Sequence, residues 1–180
     1  QATADSRQLA LTCAISDAAL VSPPDGTGPA WQMDVNLDAR SYGKRLEHGS
    51  TATVRITGGV ADGPAQVHDI PTWAFGNEYA AVFDPKEFKA TLSTAPDGRR
   101  LISLTLPKTY MYLHEWALEN GNSQLGVNVH LTIRQASVDG KERLTSYALS
   151  VNAKPVDDVD SLVVLELCTK PTTRVTVNVF

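Results

Sequence analysis

Residues 31–38, WQMDVNLD, alternate apolar and polar side chains at every position. Consecutive side chains of a β-strand point to opposite faces, so a repeat of two places every apolar residue of this stretch on one side. The apolar set is Trp31, Met33, Val35 and Leu37, and the polar set is Gln32, Asp34, Asn36 and Asp38. The stretch therefore predicts a strand with one face in a core and the other toward solvent.

The same alternation continues on both sides of this stretch. Residues 9–15 and 52–57 repeat it, and two longer segments read as hairpins. In residues 88–106 the turn is Pro96-Asp97-Gly98, and in residues 127–151 it is Asp139-Gly140. Turn residues between two alternating runs are typical of a β-hairpin, so both pairs are predicted to be antiparallel.

The end of the chain adds two further predicted strands. Residues 161–168 are apolar on both faces except at Glu166, which favours a central strand, and Val175, Val177 and Val179 alternate with polar residues. Nine or more strands at short spacing are typical of a β-sandwich or a barrel-like fold. No repeat, low-complexity tract or linker divides the chain, so the sequence predicts a single all-β, antiparallel β-sandwich domain over residues 1–180.

Two regions break the period of two. Residues 109–119 place Tyr110, Leu113, Ala117 and Leu118 at helical spacing before Gly121, which predicts one short helix. The alternative is a strand with Tyr110, Tyr112 and His114 on one face. Residues 67–86 contain Pro71, Gly76 and Pro85 and are expected to be irregular, with one helical turn.

The two cysteines, Cys13 and Cys168, lie in strand-like runs near opposite ends of the chain. Terminal strands are often neighbours, so the sequence predicts a Cys13–Cys168 disulfide; the alternative is two buried free thiols. The first residue is Gln1 rather than Met, which is expected of a processed or a trimmed end, and no Asn-x-Ser/Thr sequon is present. These features together favour a periplasmic or secreted protein of a bacterial envelope.

Charge and hydropathy argue against two classes of partner. The chain has 16 Lys and Arg against 20 Asp and Glu, a net charge of -4, which disfavours a broad nucleic-acid surface. A membrane-spanning helix needs about 20 consecutive apolar residues. The longest apolar run, around residues 162–167, is far shorter and is interrupted by Glu166, so no membrane span is expected.

No residue pattern predicts catalysis, a metal site or a cofactor. The histidines are His48, His68, His114 and His130, and no Gly-x-Ser-x-Gly turn accompanies them. The zinc motif His-Glu-x-x-His begins at His114 but fails because residue 118 is Leu. The expectation is a protein that is not an enzyme, with no cofactor and no metal. The alternative is a hydrolase that pairs His68 or His114 with Asp69 or Glu115.

The most distinctive patch is the aromatic segment at residues 110–116, YMYLHEW. Tyr, Trp and Met are enriched at protein interfaces. The predicted partner-binding residues are Tyr110, Tyr112, His114, Glu115 and Trp116. The competing interpretation is that much of this segment fills the core under a short helix.

The resulting hypothesis is a non-enzymatic, secreted or periplasmic protein-binding module of the inhibitor, immunity or accessory-subunit type. Its main alternative is a carbohydrate or small-ligand binding β-sandwich that uses Trp73, Tyr110, Tyr112 and Trp116. Calcium could assist such a site at the acidic run of residues 157–160, DDVD, although this run lacks the spacing of an EF-hand loop.

Overall fold

The structure is a computed structural model that describes residues 2–4, 8–15, 20–38, 52–70, 72–74, 77–79, 85–107, 124–136, 139, 141–148 and 163–166. Within these ranges the chain is almost entirely β-structure, with a single turn of 3₁₀ helix at Pro85–Glu87. The strands in chain order are β1 (Ala2–Ala4), β2 (Gln8–Ile15), β3 (Trp31–Asp38), β4 (Ala52–Gly58), β5 (Gly63–Pro64), β6 (Gln66–Ile70), β7 (Thr72–Ala74), β8 (Asn77–Tyr79), β9 (Lys89–Thr94), β10 (Arg100–Pro107), β11 (Gln124–Ala136), β12 (Glu142–Ala148) and β13 (Val163–Glu166).

The strands form two antiparallel sheets and one separate hairpin. The five-stranded sheet has the order β1-β2-β10-β9-β5. The six-stranded sheet has the order β12-β11-β3-β4-β6, with β13 also paired to β11. β7 and β8 pair only with each other among the described strands. The predicted all-β, antiparallel sandwich is confirmed.

One hydrophobic core joins the two sheets. The apolar phase of β3 is buried, from Trp31 at 1% exposure to Met33, Val35 and Leu37 at 0%. From the five-stranded sheet the same cluster includes Leu9 on β2 and Ile102 on β10. The alternation read in the sequence thus decides which side of each strand faces the core, because removing apolar area from water is the main favourable term in folding.

Both predicted hairpins are present. β9 and β10 pair across the turn at Pro96-Asp97-Gly98, where Gly98 has a φ of 85° and Ala95 N–H donates to the carbonyl of Arg99. β11 and β12 pair with Ala136 opposite Glu142. Glycine adopts a positive φ without the steric cost that a β carbon adds. Gly98 therefore allows the chain to reverse at the turn between β9 and β10.

The expectation of an irregular region over residues 67–86 is wrong for its first part. Residues 66–70 are strand β6, which pairs with β4, and two short strands β7 and β8 follow. The missed signal is the alternation of Val67, which packs against the core, with exposed Gln66 and His68. The nearby Pro71 and Gly76 favoured an irregular segment, and a strand of only five residues shows little alternation.

Several sequence predictions lie outside the described residues. These are the helix at 109–119, the strand at 175–179 and the outer parts of the predicted strand at 161–168. Of the last segment, residues 163–166 form β13, and β11 is its one partner among the described strands. The single-domain prediction stays a prediction, although the described sheets share one core.

Candidate functional site

The predicted partner-binding residues all belong to one segment outside the described part of the chain. Tyr110, Tyr112, His114, Glu115 and Trp116 lie outside the described residues, as do residues 157–160 of the acidic run. Trp73 belongs to β7, whose backbone is described without its side chain. Most outward side chains of the six-stranded sheet are described, and they form the candidate surface.

Cys13 lies on β2, packs against the core and forms no disulfide within the described residues. Burial raises the pKa of this thiol. Cys168 lies outside the described residues, so the structure does not support the predicted disulfide, which stays a prediction.

The outer face of the six-stranded sheet carries a row of charged and polar side chains. Strand register places His130 of β11 opposite Asp34 of β3, Asp34 opposite Arg55 of β4, and Arg55 opposite His68 of β6. Side chains directly opposite on one face of a sheet lie close enough to interact. Four strands thus bring together residues that are up to 96 positions apart in the sequence, from Asp34 to His130.

The centre of this row is a two-point ion pair. Arg55 Nε donates to Asp34 Oδ1 at 2.7 Å and Arg55 Nη2 donates to Asp34 Oδ2 at 2.9 Å. The hydrogen bonds to Asp34 raise the pKa of the Arg55 guanidinium. Gln32 Nε2 also donates to Asp34 Oδ2, at 3.1 Å. The Asp34 side chain is 14% exposed and that of Arg55 is 38% exposed. The two hydrogen bonds therefore fix the geometry of a partly buried ion pair.

The histidines of this row have hydrogen-bond partners other than a carboxylate. His68 Nε2 lies 3.1 Å from Thr57 Oγ1, and His130 Nε2 lies 3.2 Å from Asn128 Nδ2. A hydrolytic His requires a nucleophile on one side and an orienting carboxylate on the other. For the hydrolase hypothesis, the hydroxyl beside His68 is that of Thr57. The residue opposite His68 on β4 is Arg55, which is not a carboxylate.

Beside the charged row, three polar side chains on the same outer face are buried. Asn36 is 0% exposed, Asn128 is 1% exposed and Thr53 is 7% exposed. Asn36 lies between the other two in the register, and Thr53 Oγ1 donates to Asn36 Oδ1 at 2.7 Å. The alternation in the sequence predicts these positions to face solvent, yet this end of the outer face is covered. Asn36 Nδ2 has no hydrogen-bond partner among the described residues.

The opposite end of the outer face is open and carries an apolar side chain. Leu144 of β12 is 58% exposed, and it is the large hydrophobic residue that stands out from the surface of the described chain. It lies directly opposite Arg134, which forms an ion pair with Glu142. We call Leu144, Arg134 and Glu142 the Leu144 patch. An exposed apolar residue bordered by charged groups has the composition of a small protein contact.

The sequence carries a signal for the Leu144 patch, although none of its residues is among the predicted partner-binding residues. In residues 142–146 the outward phase is Glu142, Leu144 and Ser146, so Leu144 is the apolar member of an otherwise polar phase. An apolar residue in the solvent phase of a strand is a candidate contact residue. No comparable signal marks Asn36, whose burial depends on what the fold places over it.

Two kinds of site are absent from the described residues. Among the described residues, no group of three or more His, Cys, Asp or Glu side chains is arranged to hold a metal ion. In the same residues, no helix has the length and apolar character needed to cross a membrane. The outer face offers hydrogen-bond donors and acceptors, the ion pairs Asp34–Arg55 and Arg134–Glu142, and the exposed side chain of Leu144.

No protein-family model matches the sequence, and no curated protein matches it.

Proposed function

We propose that the protein is a non-enzymatic, secreted or periplasmic module that binds a protein partner, of the inhibitor, immunity or accessory-subunit type. The observation that carries the proposal is Leu144, a leucine 58% exposed on a regular strand. Burying such a side chain against a partner gains roughly 1.5–3 kcal/mol when burial is complete. Charged residues around it would give the contact its orientation and specificity.

The outer face of the six-stranded sheet supplies the polar part of the proposed contact. Arg134 and Glu142 flank Leu144, and the Asp34–Arg55 pair lies further along the same face. Arg is enriched at protein interfaces because its guanidinium makes several hydrogen bonds in a fixed geometry. The aromatic segment at Tyr110, Tyr112, His114, Glu115 and Trp116 stays the second expected contact surface.

The test is capture of partners from envelope and extracellular extracts with the purified chain as bait. Three variants are compared with the parent: Leu144→Lys, the double variant Tyr112→Ala with Trp116→Ala, and Thr91→Lys. Thr91 is an exposed residue on β9 in the other sheet, so the last variant adds the same charge away from the patch.

A protein captured by the parent and by Thr91→Lys, and lost with Leu144→Lys, supports the proposed contact. Loss with the aromatic double variant alone would move the contact to the predicted segment. If the parent retains no protein at low salt, the proposal of a protein-binding module is wrong. A carbohydrate panel then tests the alternative through Trp73, Tyr110, Tyr112 and Trp116.

A further inference from the structure

Within the two sheets, five of the described strands pair on one side only, and they differ in how well the other edge is protected. They are β1, β5, β6 and β12 at the ends of the two sheets, and β13, which has four residues and ends at Glu166. Among the described strands, β1 has three residues, β5 has two and contains Pro64, and β6 has five and carries His68 and Asp69. β12 has seven residues, without proline or glycine. Short length, proline and charge are the usual means by which proteins prevent a sheet edge from pairing with another chain. Residues 144–148 of β12 include no proline and no charged residue.

The backbone groups that β12 turns to its open side can be identified. Arg134 N–H of β11 donates to the carbonyl of Ala30, on the side away from β12. The Arg134–Leu144 pair is therefore a non-hydrogen-bonded pair of the β11–β12 ladder. In an antiparallel ladder the two kinds of pair alternate. Glu142, Leu144 and Ser146 accordingly direct their N–H and C=O groups away from β11.

We propose that two copies of this chain join through β12, antiparallel to each other, with Leu144 opposite Leu144 of the second copy. The inference rests on the proposed function, because it gives the Leu144 patch a partner of defined sequence. In this register Glu142 lies opposite Ser146 of the second copy, and Leu144 lies on the two-fold axis. Each of these pairs exchanges both of its N–H···O bonds, so the outward backbone groups of residues 142–146 are satisfied.

The side chains of β12 are compatible with this pairing. The two Leu144 side chains meet on the outer face, where each is 58% exposed in the single chain. Glu142 faces a serine and Arg143 faces Thr145, so no like charges are directly opposite. A two-fold interface must be complementary to itself, and this strand meets that condition in the register that pairs its apolar residue. The outer faces of the two copies would form one continuous surface.

The first experiment is sedimentation velocity of the full chain over a range of concentrations. The parent is expected to form dimers in a concentration-dependent manner, and Leu144→Lys is expected to stay monomeric because opposed lysines on an edge repel. Thr91→Lys is the matched charge control and should dimerise as the parent does. Far-UV circular dichroism and thermal melting check that each variant keeps its fold. A parent that stays monomeric at its highest soluble concentration overturns the proposal, as does undiminished dimerisation of Leu144→Lys.

The second experiment tests the register by oxidative cross-linking. Directly opposed residues in a hydrogen-bonded pair have Cα atoms about 5.5 Å apart, within the range that a disulfide spans. Leu144→Cys is expected to give a cross-linked dimer on a non-reducing gel beyond the background of the parent, which retains Cys13 and Cys168. Ser146→Cys is the control on the same strand and face. The two Ser146 positions are offset by about 13 Å along the paired strands, which is four residues of strand rise, so Ser146→Cys should not cross-link. Equal cross-linking of both variants would overturn the proposed pairing.

Failure of this inference is distinguishable from failure of the proposed function. A monomeric parent that still captures another protein through Leu144 retains the proposed function and removes the self-pairing. A dimeric parent that captures no protein retains the self-pairing and removes the module for a different partner.

Discussion

Gly58 lies directly opposite Trp31 in the pairing of β3 with β4, and the Trp31 indole covers the glycine on the core side. A β carbon at residue 58 would lie 2.5 Å from Trp31 Cε2. The indole is held there by the hydrogen bond that its Nε1 donates to the carbonyl of Gly59 at 3.0 Å, and the residue is only 1% exposed. A missing side chain on one strand thus provides the space for the largest side chain of the core on the next strand.

Gly58→Ala is expected to destabilise the protein by about 1–3 kcal/mol, the usual cost of adding a methyl group to a filled core. The measurement is urea unfolding followed by tryptophan fluorescence. Gly59→Ala is the control, because a β carbon at Gly59 meets no heavy atom within 4 Å and Gly59 has an ordinary φ. Equal stability of the two variants would contradict the close packing of Trp31 on Gly58.

Thr53→Val is expected to cost about 1–3 kcal/mol of unfolding free energy, because it leaves the buried Oδ1 of Asn36 without its donor. Thr57→Val removes a similar hydroxyl from the same face of the same strand, where the hydrogen bond to His68 is exposed. That control should change stability by less than about 0.5 kcal/mol. A smaller loss for Thr53→Val than for Thr57→Val would refute the buried network.

Asp25 is expected to titrate below its ordinary pKa in the folded protein. The Thr27 hydroxyl donates to Asp25 Oδ2, and the Thr27 N–H donates to Asp25 Oδ1 at 3.0 Å; these bonds lower the pKa of the carboxyl. A depressed folded-state pKa means that the stabilisation is present above the ordinary carboxyl pKa of about 3.9 and is lost as pH falls through the folded value.

Carbon-detected NMR of the Asp25 carboxyl provides the measurement. Thr27→Ala should move the titration midpoint of Asp25 upward, because it removes the side-chain donor. The midpoint of Asp97, whose pKa is lowered by hydrogen bonds from Arg99, should not move in this variant. An Asp25 midpoint that is the same with and without the Thr27 hydroxyl would disprove the assignment.

The thiol of Cys13 is expected to react slowly with iodoacetamide in the reduced, folded protein. Burial raises the pKa of this thiol, and the thiolate is the reactive form. Alkylation followed by peptide mass spectrometry should show much faster modification of Cys13 in denaturant. Fast modification of Cys13 in the folded protein would contradict its packing against the core.

Intact mass tests the predicted Cys13–Cys168 bridge separately. The non-reduced protein should be about 2 Da lighter than the reduced protein if the bridge forms. Equal masses would establish two free thiols, which is the alternative interpretation of these cysteines.

The alternation of side chains was sufficient to predict most of the described fold. An apolar residue at every second position indicates a strand with one face in the core. This pattern predicts β2, β3, β4, β9, β10, β11 and β12. The short strands β1, β5, β7 and β8 carry too few residues to show a period, and β6 was hidden by nearby proline and glycine. The predicted partner-binding residues lie outside the described chain and stay predictions, and the Leu144 patch is not among them.

The sequence by itself determined the two faces of each strand and the positions of the two turns. Only the tertiary structure decided which outward residues meet water. Asn36 and Leu144 both belong to the outward phase of their strands, yet Asn36 is 0% exposed and Leu144 is 58% exposed. The physical reason is that exposure depends on which parts of the chain lie beside a strand and over its outer face, and these are set by contacts between distant segments. Asn36 lies on β3, which is flanked by β4 and β11, whereas Leu144 lies on β12 at the margin of the same sheet.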